Sequence, residues 1–380
     1  MLKNVNKILL DNLNNNLIPF WNSLKDRNFG GFYGDSENQL APKGSIYLSR
    51  LLWSYAKLYQ FKKEAIYLEN ASYIFNFLNV YVFDKENGGI YWSVNYDGTP
   101  HIADKHLYAH AFCLYGLSEY YHITEDVRVL KRIEQLIDII DRNLIDFPNN
   151  YFEQYTVDWQ KKENSLLEGH GLIPEITTNT LLHLAEATGT AYSVLKLTRY
   201  KQITENLIDI IFKVGYDFEN HNLYQFLDYQ FNDVFKMISY GHNIEVSWLF
   251  TKIIKDCGID RPNILNELKL LGIKSMEGFN GKYLNNELIG DNLDRSLIWW
   301  VQAEALIGLK YLVNAGETAY LKDIETICMT IKDRLMTSDE WHWGFDNNDK
   351  LMENHHKAEM WKSSYHNVRA ILEVVGEDRG

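Results

Sequence analysis

The chain has 380 residues, of which 46% are hydrophobic and 23% charged, so it can bury a large core. Its net charge of −13 and pI near 5.4 leave no basic surface for nucleic acid or an anionic membrane. Three cysteines, Cys113, Cys257 and Cys328, are far apart and outside any C-x-x-C motif, which predicts reduced, buried thiols in a cytoplasmic protein.

The first 21 residues are predicted to form a helix. Apolar side chains recur on one side at helical spacing, at Leu2, Val5, Ile8, Leu9 and Leu13. An uninterrupted apolar region and a small-residue cleavage site are both missing, so we do not expect a signal peptide. No apolar run in the sequence is long enough for a membrane span.

Short aromatic clusters recur along the chain at intervals near sixty residues. GGFYG begins at Gly30 and GGIYW at Gly88, and later clusters follow polar turns in the same way. One marker residue can be taken from each cluster: Phe32, Ile90, Phe152, Tyr224, Tyr283 and His342. The steps between these markers are 58, 62, 72, 59 and 59 residues, which indicates six structural units.

Amphipathic segments of helical periodicity lie between the clusters. The more apolar ones are residues 45–61, 106–123, 178–197, 243–258, 296–313 and 367–376. More charged helices precede most clusters, for example residues 127–144 and 320–335. Each unit therefore consists of a polar outer helix, a short extended hairpin and an apolar inner helix.

Six helix pairs that close on themselves form an (α/α)6 barrel, and this all-α fold is the prediction. Short β-hairpin loops are expected at one end, and residues 1–380 are expected to form a single catalytic domain. An open helical solenoid is the alternative. Closure is favoured because the inner helices are too apolar all round to face solvent.

Polar and aromatic side chains interrupt the inner helices near their N-terminal ends. Buried arginine, glutamate and histidine need a partner or a role. These side chains follow the cluster markers at similar offsets, so we expect them to face one cavity: Arg50, Tyr108, Asn179, His183, His242, Glu245, Trp299, Trp300, Glu304 and His366.

Metal binding is the weaker interpretation of these residues. His242 and Glu245 supply two ligands with no third nearby in sequence, whereas zinc sites use at least three protein ligands. The E-x-x-H elements at residues 119–122 and 353–356 resemble those of di-iron bundles. The first lies at a helix end and the second in a charged stretch, so both are expected on the solvated surface, and no metal is predicted.

A glycoside hydrolase is the rival catalytic interpretation. It would need two opposed carboxylates, for which Glu245 and Glu304 are available. The three histidines would then have no role in the reaction. The sequence contains no G-x-S-x-G elbow and no Rossmann or P-loop glycine pattern. Neither serine hydrolysis nor a nucleotide cofactor is therefore expected.

Several segments resemble those of cellobiose 2-epimerases, within the N-acylglucosamine 2-epimerase superfamily. The similar segments include SYGHNIEVSW at 239–248, WWVQAEA at 299–305 and WKSSYHNVR at 361–369. Others surround Arg50, Tyr108 and His183, and the resemblance extends from about residue 18 to residue 373. It implies an (α/α)6 barrel that needs neither metal nor nucleotide.

The resemblance also implies an activity, the reversible inversion of C2 in the reducing-end glucose of β-1,4-linked disaccharides. Cellobiose would give glucosyl-mannose and lactose would give epilactose, through ring opening and a cis-enediolate. His242 and His366 correspond to the two acid–base histidines, and His183 to a third that assists ring opening. Substrate-binding or supporting roles are expected for Arg50, Tyr108, Asn179, Glu245, Trp299, Trp300, Glu304 and Trp361.

Histidines suit this reaction because a side chain that titrates near neutral pH can be the base in one direction and the acid in the other. Glu245, one turn from His242, is expected to hold that imidazole's tautomer. Departures from the family pattern are Ser363–Ser364 in place of Cys-Pro, His110 in place of glutamine and Glu175 in place of aspartate. We expect them to alter the outer part of the cleft.

Other activities remain open at this point. They are a mannose/glucose 2-epimerase, an N-acylglucosamine 2-epimerase, an aldose–ketose isomerase, a glycoside hydrolase of the same fold and a non-catalytic carbohydrate-binding protein. The expected partner is a small disaccharide or monosaccharide, and the expected assembly is a monomer or a weak homo-oligomer.

Overall fold

The computed structural model describes residues 2–149, 151–167 and 170–376. In chain order, its α-helices are α1 (Leu2–Asn12), α2 (Ile18–Ser23), α3 (Ser45–Lys62), α4 (Ala65–Phe77), α5 (Leu107–Thr124), α6 (Val127–Leu144), α7 (Thr178–Leu195), α8 (Thr198–Ile210), α9 (Tyr240–Asp256), α10 (Pro262–Ser275), α11 (Trp299–Asn314), α12 (Leu321–Thr330) and α13 (Tyr365–Gly376). The odd-numbered helices from α3 onward form an inner ring, and the others lie outside it.

The inner ring is closed. Each inner helix contacts the next one, and α13 contacts α3. An open solenoid would leave α3 and α13 apart, so the predicted (α/α)6 barrel is confirmed.

Burial explains which helices lie inside. In α5, every residue from Leu107 to Tyr120 is buried, because neighbouring helices cover it on all sides. In α6, burial is confined to one face, which carries Val129, Ile133, Leu136 and Ile140, and charged residues occupy the other. This difference matches the predicted division between inner and outer helices.

Four of the outer helices continue directly into a π-helical turn, which is wider than an α-helical turn. These turns are Leu13–Leu17, which joins α1 to α2, and Leu78–Val82, Ile211–Gly215 and Ile331–Leu335. Shorter 3-10 turns lie at Ser165–Leu167, Met276–Gly278 and Thr318–Tyr320.

Short strands surround the end of the barrel at which the inner helices begin. They are β1 (Lys43–Gly44), β2 (Ser93–Val94), β3 (Pro100–Ile102), β4 (Lys105–His106), β5 (Gln154–Tyr155), β6 (Lys161–Lys162), β7 (Ile176–Thr177), β8 (Tyr216–Asp217), β9 (Asn222–Leu223), β10 (Phe226–Leu227), β11 (Met237–Ser239), β12 (Glu287–Ile289), β13 (Asn292–Asp294), β14 (Leu297–Ile298) and β15 (Gly344–Phe345). The predicted hairpins are therefore present at one end.

Strand pairing also joins each unit to the next. The strand that precedes an inner helix pairs antiparallel with a strand of the following unit, in the pairs β1–β2, β4–β5, β7–β10, β11–β12 and β14–β15. In the first pair, Lys43 lies opposite Val94 and Gly44 opposite Ser93. These pairs fix where each inner helix starts, and so hold its first turns around a common axis.

In each of the first two units, a buried ion pair stabilises the turn that precedes the Gly-Gly pair. The Oδ1 atom of Asp26 accepts two backbone N–H bonds of its own turn at 3.0 Å, and Lys43 Nζ donates to its Oδ2 at 2.7 Å. Asp84 and Lys105 repeat this arrangement, also at 2.7 Å. The two Gly-Gly pairs that follow have positive φ angles, between 65° and 90°, which explains the glycines in both motifs.

Three inner helices begin two or three residues from their predicted positions, and α5 begins one residue late, at Leu107. Helix α9 starts at Tyr240 instead of residue 243 because the Ser239 side chain caps it. Helix α11 starts at Trp299 instead of residue 296 because β14 pairs with β15, and α13 starts at Tyr365 instead of residue 367.

Side chains from all six units form one continuous hydrophobic cluster. The three cysteines are buried and free, as predicted. Within the described ranges, no helix is both long enough and apolar enough to cross a bilayer. The single domain over residues 1–380 stays a prediction, because residues 1, 150, 168–169 and 377–380 lie outside the described part.

Candidate active site

A cavity of about 330 Å³ opens at the N-terminal end of the inner ring. Ten of the eleven predicted site residues line it: Arg50, Tyr108, Asn179, His183, His242, Glu245, Trp299, Trp300, Trp361 and His366. The eleventh, Glu304, lies behind His366 and bonds to it. All of them except Trp361 belong to the first six residues of an inner helix. The common cavity expected from the sequence is therefore present.

His366 is anchored by a buried carboxylate. Its Nδ1 lies 2.7 Å from Oε1 of Glu304, and the other Glu304 oxygen accepts the indole N–H of Trp248 at 3.0 Å. Burial raises the pKa of Glu304, but three donors around its oxygens favour the ionised form. The imidazole then donates its Nδ1–H, so Nε2 keeps a lone pair for the cavity.

His183 has the same kind of anchor. Its Nδ1 lies 2.8 Å from Oε2 of Glu186, a residue one turn further along α7. Burial opposes ionisation of Glu186, but the Arg369 charge and the bond from His183 outweigh it, and the pKa of this carboxyl lies below its usual value. Glu186 therefore fixes the orientation of the His183 ring, with Nε2 directed away from this bond.

His242 is anchored differently, and the expectation for Glu245 was wrong. The Nδ1 atom of His242 lies 2.8 Å from the hydroxyl oxygen of Ser239, the residue that caps α9. Glu245 instead accepts a hydrogen bond from Nη2 of Arg369, which belongs to α13. Helical spacing brings His242 and Glu245 onto one face, but the capping hydroxyl is the nearer partner for Nδ1.

Arg369 joins the carboxylates behind the cavity. Its Nη1 donates to Glu186 at 2.9 Å, and its Nη2 donates to Glu304 at 2.7 Å and to Glu245. The guanidinium lies over the Tyr365 ring, 4.2 Å from its centroid. One cation thus holds the carboxylate partners of both His183 and His366. The sequence analysis missed Arg369, although an arginine within the apolar run NVRAILEVVG could have indicated it.

Burial determines the charge state of the two proposed acid–base histidines. It lowers the pKa of His242 to about 4, against a smaller opposing effect of Glu245. It also lowers the pKa of His366 well below the usual value, with further lowering by Arg50 and Arg369. Both imidazoles are therefore neutral near pH 7 in the unliganded protein.

Trp300 lies between these two histidines. Its ring centroid is 4.9 Å from that of His242 and 5.8 Å from that of His366. Gly241 permits this arrangement, because a Cβ atom at that position would come within 2.6 Å of the indole. The two imidazoles come from α9 and α13, on either side of the helix that carries Trp300.

Arg50, on α3, supplies donors for a sugar oxygen. Arg50 donates to the Tyr108 hydroxyl at 3.1 Å and to the Trp361 carbonyl at 3.4 Å. The guanidinium of Arg50 packs over the ring of Phe112 on α5, with its central carbon 4.1 Å from the ring centroid. Among the described residues, Oδ1 of Asn179 and the indole nitrogen of Trp299 are buried without a hydrogen-bond partner. Buried polar groups without a partner are rare, and a role in binding or catalysis is one explanation for them.

The mouth of the cavity contains residues that sequence reasoning did not find. Leu167, Trp343, His355 and Glu359 line it, together with Trp361, whose side chain is 36% exposed. His355 stacks on Trp343 with ring centroids 3.9 Å apart, and its Nδ1 is 3.4 Å from Glu359. These residues belong to loops, where the helical offset used for the prediction does not apply.

One group within the described residues has the composition of a possible metal site. Ligand atoms of Glu245, Glu304 and His366 lie within 4.8 Å of one another. Both carboxylates already bind Arg369, whose positive charge takes the place that a metal ion would have among them. The absence of a metal requirement stays a prediction.

The E-x-x-H element at 119–122 is solvated only in part, because His122 is exposed, as expected, whereas Glu119 is not. Glu119 is buried and pairs with Lys57 at 3.2 Å and with Gln60 at 2.7 Å. In the second element Glu353 is exposed, as expected, and His356 is half-buried with its Nδ1 2.6 Å from Asp35.

Two of the three departures from the family pattern lie away from the cavity. His110 is buried under the second Gly-Gly turn, where it accepts from Ile90 N–H at 3.2 Å. Glu175 is exposed and accepts from the backbone of Tyr229 at 2.6 Å. Ser363 and Ser364 are buried just before α13, with Tyr365 between them and His366.

Sequence comparisons over most of the chain all match sugar 2-epimerases. The family model for N-acylglucosamine 2-epimerase (GlcNAc 2-epimerase) matches residues 30–370. A cellobiose 2-epimerase of Dictyoglomus turgidum is 34% identical, with 98% of this chain and 99% of the relative aligned. One from Eubacterium cellulosolvens is 31% identical, with 97% and 98% aligned.

A solved structure agrees with these sequence matches. The cellobiose 2-epimerase from Bacillus thermoamylovorans B4167 superimposes with a TM-score of 0.94 at 31% identity, over 99% of this chain and 100% of that one. The chain therefore belongs to the N-acylglucosamine 2-epimerase family, in the group of its cellobiose 2-epimerases, and is an isomerase of the sugar-epimerase type.

Proposed function

We propose that this enzyme reversibly epimerises C2 of the reducing-end glucose in β-1,4-linked disaccharides, converting cellobiose to glucosyl-mannose and lactose to epilactose. The observation that carries the proposal is the pair His242 and His366. Each has its Nδ1 bonded behind the cavity, and they flank the Trp300 ring. The two relatives described above are both cellobiose 2-epimerases, which agrees with a disaccharide substrate.

The reaction begins with opening of the reducing-end ring. His183, held by Glu186, moves the O1 proton to the ring oxygen O5, which produces the C1 aldehyde. Arg50 donates to O1 as its negative charge develops. Preorganised donors of this kind in a water-poor site each contribute on the order of 10²–10³ in rate.

Proton abstraction follows at C2. Nε2 of one histidine takes the C2 proton, and the electrons of the C–H bond form the cis-enediolate with the carbonyl. The other histidine, protonated from solvent, returns a proton to the opposite face, and the first releases its proton to solvent. General acid–base catalysis by positioned histidines contributes about 10²–10⁴ in rate.

Unpartnered groups in the cavity support binding of a hydroxylated ligand. Both atoms are buried in the unliganded protein, so we expect small side-chain movements on binding, after which Oδ1 of Asn179 can accept from a sugar hydroxyl and the indole N–H of Trp299 can donate to one. The half-exposed Trp361 offers an aromatic face at the mouth for the second sugar ring.

The arrangement of carboxylates argues against a glycoside hydrolase. Glu245 and Glu304 both bind Nη2 of Arg369, and their ligand atoms lie within 4.8 Å of each other. Hydrolysis needs two carboxyl groups on opposite sides of the scissile bond, at about 5–5.5 Å or about 6.5–9.5 Å. Two carboxylates on one guanidinium do not provide that arrangement.

Proton NMR in D2O tests the proposal directly. Cellobiose, lactose, mannobiose, mannose, glucose and N-acetylglucosamine would each be incubated with the enzyme. The expected result is the C2 epimer of cellobiose and lactose, with deuterium at C2 and no released monosaccharide. A preference for mannose or glucose, or deuterium at C1 of a ketose product, would establish one of the alternative activities instead.

His366→Asn tests the assignment of the proton carrier. Loss of epimerisation by at least about a hundredfold is expected, because asparagine cannot accept a proton. Glu353→Gln, at an exposed position, is the matched control and should leave activity unchanged. Full activity of His366→Asn would refute the mechanism.

Cellular location and assembly form the remaining part of the proposal. We expect the enzyme to be cytoplasmic, in keeping with three free buried cysteines. A monomer or weak homo-oligomer is expected, and the whole chain is expected to act as one catalytic domain.

A further inference from the structure

Two side chains at the mouth of the cavity have no role in the proposed reaction. Glu359 and His355 line the mouth beside Trp343 and Trp361. Their side chains are 23% and 30% exposed, so a molecule that enters the cavity can reach both. We call Glu359 and His355 the mouth pair.

The protein holds the mouth pair in a defined position. Nδ1 of His355 lies 3.4 Å from Oε1 of Glu359, and the imidazole stacks on Trp343 with the ring planes 9° from parallel. The backbone of Glu359 bonds in both directions with that of Lys362, at 3.1 and 3.0 Å, which closes a tight turn that contains Trp361. Because its N–H and C=O are used in this turn, Glu359 contributes its side chain to the cavity.

The carboxylate of Glu359 keeps most of its hydrogen-bonding capacity. The described residues make two such contacts with it, from Nδ1 of His355 and from the backbone N–H of His356, and both are 3.4 Å long. These distances exceed the usual range for a hydrogen bond, and two carboxylate oxygens offer about four acceptor sites. Sugar hydroxyls are suitable donors, and their bonds to an ionised acceptor are stronger than neutral ones.

No basic side chain balances the charge of Glu359. Within the described ranges, this carboxylate forms no ion pair with lysine or arginine, and Arg50, which donates to the Tyr108 hydroxyl, is the only residue of either kind that lines the cavity. Asp35 and Glu37 lie near His356 instead, and the bond to Asp35 raises the pKa of that imidazole. The mouth is therefore unfavourable for an anion.

The second ring of a disaccharide has to lie at this mouth. The reducing-end ring must reach His242 and His366, which belong to the first turns of α9 and α13. Buried residues of the inner helices continue below them. The loops that carry the mouth pair surround the space that is left.

We propose that the mouth pair determines specificity for the second sugar ring. Glu359 accepts hydrogen bonds from hydroxyls of an uncharged hexose and disfavours a second ring that carries a carboxylate, and His355 positions Glu359. This inference rests on the proposed function, because it concerns the ring that the reaction leaves unchanged.

Two substrates with the same reducing-end glucose test the proposal. Cellobiose and β-1,4-glucuronosyl-glucose differ only at C6 of the second ring, which is a hydroxymethyl group in cellobiose and a carboxylate in the uronate. Deuterium uptake at C2, followed by NMR at pH 8, where an ordinary histidine is neutral, gives kcat/KM for each. Glu359→Gln removes the charge and keeps the shape. Glu353→Gln removes a charge at an exposed position of the same loop and is the matched control.

The wild type is expected to prefer cellobiose over the uronate by at least about tenfold, because two like charges approach at the mouth. Glu359→Gln should reduce this preference by about five- to tenfold, through changes in KM with kcat nearly constant. Glu353→Gln should keep the preference of the wild type. An unchanged preference in Glu359→Gln, or an equal change in Glu353→Gln, would overturn the proposal.

His355→Phe tests the positioning role. Phenylalanine keeps the stack on Trp343 and removes the partner of Glu359. The KM for cellobiose should rise about two- to tenfold, as for one lost hydrogen bond, while kcat stays unchanged. A decrease in kcat, or an unchanged KM, would refute this role for His355.

Unreactive analogues separate the inference from the reaction. Cellobiitol and the alditol of the uronate have no anomeric centre and cannot be epimerised. Titration calorimetry should show that the wild type prefers cellobiitol and that Glu359→Gln loses this preference. An enzyme with this binding pattern but no exchange at C2 of any sugar would refute the proposed function and leave the role of the mouth pair standing. Equal affinity of the wild type for both alditols would refute that role, whatever the activity.

Discussion

The anchors of the two proposed proton carriers differ. His366 has a buried carboxylate behind it, which a guanidinium and an indole N–H also hold. Among the described residues, the side chain that holds Nδ1 of His242 is the hydroxyl of its own helix cap, at 2.8 Å. A carboxylate stabilises the imidazolium and fixes the tautomer, whereas a hydroxyl can donate or accept and fixes neither. Two histidines with matching roles in a reversible reaction are thus supported in different ways.

This difference means that the pair is not symmetric in basicity. We expect the carboxylate anchor to stabilise the imidazolium of His366 more than the hydroxyl anchor stabilises that of His242, although burial lowers the pKa of both side chains. Four substitutions, ordered by expected effect, test this comparison.

Glu304→Gln should have the largest effect. It leaves an amide at Nδ1 of His366 and an unbalanced charge on Arg369, so kcat should fall on the order of 10²- to 10⁴-fold, as for other catalytic histidines that lose a buried carboxylate. Steady-state kinetics on cellobiose measure it, with Glu353→Gln as control. A kcat within twofold of the wild type would show that the carboxylate anchor is unimportant.

Glu186→Gln removes the other carboxylate anchor, at His183. Hydrogen bonds to charged groups contribute about 1.5–3 kcal/mol, so a decrease in kcat of about 10- to 100-fold is expected. Because His183 is assigned to ring opening, C2 exchange should slow by the same factor as epimer formation when both are followed by NMR. Unequal changes would place His183 at another step.

Ser239→Asp converts the hydroxyl anchor into a carboxylate anchor. In the wild type, burial lowers the pKa of His242 to about 4, so its base form persists as the pH falls, and we expect kcat/KM to decrease only near and below that value. A carboxylate at Nδ1 favours the protonated form and should move this decrease upward by about one to two pH units. The kcat/KM profile between pH 4 and 8 measures the shift, with folding followed by circular dichroism. An unchanged profile would show that another group controls the acid side.

Ser239→Ala should have the smallest effect. Loss of one neutral hydrogen bond predicts a two- to tenfold decrease in kcat, with a loss in stability of about 1 kcal/mol from the helix cap. Ser239→Thr keeps the hydroxyl and is the control. If Ser239→Ala proved as damaging as Glu304→Gln, the two anchors would be equivalent and the comparison would fail.

Much of the cavity could be predicted because the barrel repeats. Arg50, Tyr108 and His242 were found from similar offsets in separate units, and closure of the ring brings such positions together. The periodicity that identifies the inner helices thus also places their first turns. Even the helix starts that were predicted two or three residues late remain at the correct end.

The contacts behind the cavity could not be predicted in the same way. Arg369 and Glu186 are 183 residues apart in sequence, and no local pattern pairs them. Glu245 was assigned to His242 from helical spacing alone, but a choice between Ser239 and Arg369 as partners depends on three-dimensional distances. Ser239 itself had a local signal, since a serine three residues before His242 has the spacing of a helix cap.

The indole of Trp300 has a consequence for the fate of hydrogen in the proposed reaction. It lies against both imidazoles, and its only polar hydrogen is a donor, so its ring cannot relay a proton from His242 to His366. The barrel then keeps two separate proton pools, each in exchange with water on its own. A hydrogen taken from C2 should never reappear in the epimer, in either direction. An enzyme with a single mobile base would instead return part of it.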